Sequence, residues 1–162
     1  MRCLGENAPV KSRKGCRFYL LAAFPLLLGA FQLPLHASER VWGCLLYASN
    51  GGKTFDLPAR LSGYDLRLRN GLGFSAYRVI AQRETAVEDR KTNLLVSAGD
   101  IQVLLTSLSR AVDGRYLVGI LFLEGSDQVM EAHARVAGGS PLFIRGPDWR
   151  EGQIIIVVMV GS

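Results

Sequence analysis

The sequence is poor in the side chains that most often do chemistry. Among 162 residues there are two histidines and three cysteines, and beyond residue 37 only His133 and Cys44 remain. One His and one Cys do not make a tetrahedral zinc set, so no metal and no cofactor are expected. No serine lies in a G-x-S-x-G elbow. A Ser or Cys nucleophile usually needs a base, and His133 falls in the alternating segment Met130-Glu131-Ala132-His133-Ala134-Arg135. There Glu131, His133 and Arg135 share one strand face, an exposed polar row, and no catalytic residue is expected. Internal repeats, linkers and low-complexity segments are also missing. The length predicts one compact domain. A charged fraction of 20% is too high for a multi-span membrane protein and too low for a disordered tail.

What is abundant is unevenly spread. The formal net charge is +5, but residues 1–37 hold five of the 19 Lys and Arg (Arg2, Lys11, Arg13, Lys14, Arg17) against one acid, Glu6. The remainder has 14 basic and 13 acidic side chains, so no nucleic-acid partner is expected. The basic segment leads into the uncharged run 18–35, FYLLAAFPLLLGAFQLPL, broken by Pro25, Gly29 and Pro34. This is the pattern of a secretory signal peptide, residues 1–37, cut after Ala37. An uncleaved anchor is the alternative, and would be the chain's one membrane contact. A lipoprotein reading of Gly43-Cys44 is opposed by bulky Trp42 and by the charges of Glu39 and Arg40. Cleavage removes Cys3 and Cys16 and leaves Cys44 without an intrachain partner, a buried structural thiol.

Residues 38–162 are predicted to form a single β-rich domain of α+β, mainly β class. One N-terminal amphipathic helix would be followed by an antiparallel meander of about six strands, a sheet over the helix or a small sandwich. The stretch 41–48 reads as a strand closed by Ser49-Asn50-Gly51-Gly52. Leu57, Leu61, Tyr64 and Leu68 then recur at helical spacing, with Thr54 or Asp56 as cap, Pro58 in the first turn and Asn70-Gly71 as stop. Period-two alternation begins after Gly73, and strands are expected at 74–87, 93–97, 101–108, 115–124, 128–136, 141–145 and 153–160. Asp113-Gly114 and Gly125-Ser126-Asp127 are hairpin turns. The unalternating run 154–160 predicts a strand inside the sheet, covered on both faces.

Two motifs match by letter and fail by context. Asn50-Gly51-Gly52-Lys53-Thr54 follows a strand as a phosphate loop would, but Tyr47 stands where the first glycine belongs. Gly71, Gly73 and Ala76 follow a helix and precede a strand, the reverse of the dinucleotide fingerprint. Glu88-Asp89 and Asp127…Glu131 are possible carboxylate pairs for a small hydrolase. The segment Arg145-Gly146-Pro147-Asp148-Trp149-Arg150 sets a Trp between two arginines, the composition of a contact site, so Arg145, Trp149 and Arg150 are the candidate binding residues. The competing reading folds Trp149 back over the sheet edge.

Gly63-Tyr64, then Gly73-Phe74-Ser75-Ala76-Tyr77-Arg78, then Gly139-Ser140-Pro141-Leu142-Phe143-Ile144-Arg145-Gly146-Pro147 and Gly152-Gln153-Ile154-Ile155-Ile156-Val157-Val158 resemble a group of small exported bacterial proteins with no assigned activity. The likeness covers nearly all of the chain beyond residue 37. It implies a Gram-negative envelope location and a shared fold, and it transfers no catalytic position. The expectation is an exported, non-catalytic binding or accessory domain of the cell envelope with a protein partner. Its alternatives are a small hydrolase using a carboxylate pair and a periplasmic domain binding a small anion through Arg145 and Arg150.

Overall fold

Two apolar stripes on the same strands organise the domain. The computed structural model describes residues 38–88 and 91–161; the expected leader, with Cys3 and Cys16, lies outside the described residues, as does Asp89. Among the described residues the strands are β1 (Arg40–Ser49), β2 (Phe55–Asp56), β3 (Ala76–Ala86), β4 (Asn93–Ala98), β5 (Ile101–Arg110), β6 (Tyr116–Glu124), β7 (Asp127–Val136), β8 (Leu142–Trp149) and β9 (Gly152–Val160). They form a five-stranded sheet, β2-β3-β1-β9-β8, and a four-stranded sheet, β4-β5-β6-β7. All pairings are antiparallel except β2 with β3.

Alternate residues of β1 and β9 point opposite ways. Val41, Leu45, Ile154, Ile156, Val158 and Val160 meet Val96, Val103, Leu105, Val118, Ile120 and Phe122 of the four-stranded sheet, forming the core between the sheets. Trp42, Cys44, Leu46, Ile155, Val157 and Met159 face the other way, into a second cluster closed by Leu61, Leu68 and Tyr77. This explains the unalternating run: β9 lies between β1 and β8 and is covered on both faces. At Gly43 the sheets approach so closely that a Cβ would collide with the Leu95 side chain.

The expected α+β domain, with an N-terminal helix leading one meander, is corrected on both counts. The domain is mainly β, in two sheets, and among the described residues its one α-helix is short, α1 (Asp65–Leu72), placed after β1 and β2. Leu57, Leu61, Tyr64 and Leu68 do share one apolar cluster, as their spacing demanded. They reach it from a loop, a single 3-10 turn (Ala59–Leu61) and α1, because Pro58 is extended (φ −60°, ψ 150°) where a continuous helix would need it helical. The helix ends at Gly73, in the left-handed region at φ 79°, whose amide donates to the Arg69 carbonyl. The Tyr77 hydroxyl, buried, donates to the Leu68 carbonyl at 2.8 Å and fixes α1 over the sheet. The meander itself is confined to β4 through β7; the chain leaves the larger sheet after β3 and returns to it with β8.

Candidate functional site

The β8–β9 hairpin pairs Trp149 with Gly152, leaving Arg150 and Glu151 as its turn. Gly152 is required there, because a Cβ would overlap the Ala48 carbonyl and the Tyr47 ring. That close approach sets Trp149 edge-on to Tyr47, with ring centroids 5.6 Å apart and planes at 80°. Arg150 has φ 57°, the one positive φ at a non-glycine position among the described residues, and its guanidinium carbon sits 4.2 Å from the Trp149 ring centroid. On the other side Arg78, the register partner of Tyr47 on β3, lies 5.8 Å from the Tyr47 ring centroid. A row Arg78–Tyr47–Trp149–Arg150 therefore crosses one end of the sandwich, its rings half-buried and its arginines exposed. Neither guanidinium has a carboxylate partner among the described residues.

Beside the row is an open depression of about 300 Å³, lined by Tyr47, Ser49, Gly52, Thr54 and Arg78 among others. Its wall is the glycine-rich loop after β1. Ser75 pins that loop, its amide donating to Asn50 Oδ1 at 3.1 Å and its hydroxyl to the Gly52 carbonyl at 2.8 Å.

The structure brings Trp149 and Arg150 together and separates Arg145 from them. Arg145 Nη2 donates to the Leu72 carbonyl at 2.8 Å, and its guanidinium carbon lies 5.6 Å from the Phe74 ring, on the helix-covered face of the larger sheet. It thus satisfies a terminal carbonyl of α1. Trp149 instead packs against the core between the sheets, so it covers the sandwich end and still offers part of its ring to solvent. Tyr47 and Arg78 were invisible to sequence reasoning. One sits in an apolar strand, the other on the wet side of an alternating one, and only the β1–β3 register and the β8–β9 turn bring them to Trp149.

The remaining candidates lie apart. His133 and Glu131 are exposed, 3.8 Å apart through Nε2 and Oε1, and among the described residues no hydrogen bond joins His133 to a serine. His133 lines an open groove of about 460 Å³ together with Ser107, Ser109, Leu117 and Arg135. The hydrogen bond and charge of Lys91 hold the Glu88 carboxyl below its ordinary range. That is the wrong direction for a general acid at neutral pH. Cys44 is fully buried, and desolvation pushes its thiol up to about 12. Among the described residues no three His, Cys, Asp or Glu converge to hold a metal. No protein-family profile, curated protein or solved structure matches the chain.

Proposed function

We propose that the protein is an exported, non-catalytic binding domain of the cell envelope, and that it contacts a protein partner through Tyr47, Trp149, Arg78 and Arg150. The observation that carries this reading is Arg150. Every other positive φ among the described residues belongs to glycine. A side chain held in that conformation costs about 1–2 kcal/mol, and such outliers gather where the side chain is needed. Here the held side chain is a guanidinium without a carboxylate partner among the described residues, lying on a half-exposed Trp. That pairing supplies contact area and hydrogen-bond donors to an acidic group on a partner. The export reading is supported by the basic, apolar leader and by the position of β1, which starts at Arg40, just beyond the expected cut. Arg78, which lines the 300 Å³ depression and has no carboxylate partner among the described residues, also favours a second reading, binding of a small anion.

The test is a photoreactive residue in place of Glu151, crosslinked in the native envelope, with identification of what is captured. Trp149→Ala is expected to weaken that capture about thirtyfold, the scale of a contact anchor. Capture unchanged by Trp149→Ala and by Arg150→Gly would remove the site from the account. N-terminal sequencing of the exported form should begin at Ser38, and recovery of Met1 in membranes would establish the anchor instead.

A further inference from the structure

Strand β7 is one edge of the four-stranded sheet, and its inner side chains are incompletely covered. Met130, Ala132 and Ala134 stand opposite Phe122, Ile120 and Val118 of β6, on the inner side of the sheet, and Met130 packs against the core between the sheets. The β6 residues are buried, while the three on β7 stay half-buried. An edge strand also presents a row of amides and carbonyls that can template another strand.

The outer side chains specify which strand fits. Glu131 and Arg135 lie symmetrically about His133, all three exposed. Arg135 has no ion-pair partner among the described residues, and Glu131 has the 3.8 Å approach to His133. Let β7 pair antiparallel with β7 of a second copy, centred on His133. Glu131 then faces the second copy's Arg135, Arg135 faces its Glu131, and the two His133 residues meet on the axis. On the inner side Ala132 meets Ala134 and Met130 meets Val136, apolar against apolar. A centre at Glu131 would oppose two glutamates, and a centre at Arg135 two arginines. A centre between residues would set the polar face against the apolar one. A centre at Ala132 sets Glu131 opposite His133 but leaves Arg135 against Val129, and a centre at Ala134 sets His133 against Arg135; the His133-centred register alone forms two Glu131–Arg135 pairs while keeping like faces together.

We infer that the protein forms a twofold dimer through antiparallel β7–β7 pairing centred on His133, joining the two four-stranded sheets into one continuous sheet. The inference is independent of the proposed partner site, since none of these residues belongs to the Tyr47–Trp149 row.

Sedimentation equilibrium of the exported protein tests it. The native protein should be a dimer. Glu131→Arg and Arg135→Glu should each weaken self-association about thirtyfold, because two cross-strand pairs change from attraction to repulsion. An equimolar mixture of the two variants should recover the dimer, since every pair across the axis is again opposite in sign. His133→Cys should give a disulfide-linked dimer on oxidation, and Glu131→Cys should not. Should the charge variants fail to fold, hydrogen exchange of the native protein decides: the amides of residues 130–136 that point away from β6 should gain protection with concentration. A native monomer at high concentration, a dimer indifferent to both charge reversals, or no recovery in the mixture overturns the inference.

Discussion

Strands β9 and β7 contribute to the same core and have opposite surroundings. β9 lies between β1 and β8 with an apolar layer on each face, and from Ile154 to Val160 every residue is buried. β7 has a neighbour on one side and one covered face, and in it only Val136 is buried. The difference comes from what lies outside each sheet. The larger sheet carries α1 and its flanking loops on its outer side, whereas no described element covers the outer side of the smaller one, where Leu117 is 38% exposed. In this sandwich stability is concentrated in β1 and β9, and the surface available for association lies on the smaller sheet and at the sandwich end.

The sharpest way to break that contrast is to place the same charge on both sheets. Val157→Asp buries an unpaired carboxylate between Cys44, its register partner, and the cluster under α1. It should destabilise by about 4 kcal/mol or more and abolish folding. Leu117→Asp, on the open face of β6, should change stability by only about 0.5–1 kcal/mol. Thermal or urea unfolding of the two variants decides it. Equal damage would show that the outer face of the smaller sheet is covered in solution.

A smaller effect is expected from the thiol in the same cluster. Cys44→Ser should cost about 1–3 kcal/mol, the scale for a hydroxyl placed where a small apolar group was buried. The thiol also gives the domain an alkaline limit. Its folded value is raised from 9.0 to about 12 by burial. The folded state therefore keeps its proton where the unfolded state loses it. The stabilisation is complete below pH 9 and is lost progressively as pH rises from 9 to 12. Urea midpoints across that range should fall for the native protein and fall less for Cys44→Ser. Rapid labelling of Cys44 by a thiol reagent at neutral pH in the native state would contradict the burial.

These two strands also mark what could be read from the residues. The run 154–160 announces its double burial, and the alternation of 130–135 announces a strand with one wet face, because each pattern is set by the layers directly above and below it. The helix boundary was not legible. Leu57, Leu61, Tyr64 and Leu68 converge on one cluster, and a loop, a 3-10 turn and a short helix satisfy that spacing as well as one long helix does. A small sandwich was one of the two expected forms, but the point at which the chain changes sheets was equally hidden, since no residue between β3 and β4 records it. For the candidate site, Trp149 and Arg150 adjoin in sequence, so their pairing was legible there. Tyr47 and Arg78 join them through register alone.

The smallest effects separate two arginines that are five positions apart and looked equivalent in sequence. Arg145 donates to the last turn of α1, so Arg145→Ala removes a charge-assisted hydrogen bond and leaves the Leu72 carbonyl without that donor. The expected loss is about 1 kcal/mol, tempered by the exposure of the pair. Arg150 makes its contact with Trp149 from a backbone conformation that suits glycine. In Arg150→Gly the relief of about 1–2 kcal/mol of backbone strain opposes two losses. These are about 0.5–1 kcal/mol of unfolded-chain entropy and a similar amount of exposed cation–π attraction. The net change should lie within about 0.5 kcal/mol of zero. Paired melts of the two variants, read beside partner capture, give the decisive pattern. Arg145→Ala should lower stability and leave capture intact, and Arg150→Gly should lower capture and leave stability intact. The reverse pattern would make Arg150 a structural clasp on Trp149 and return Arg145 to the binding surface.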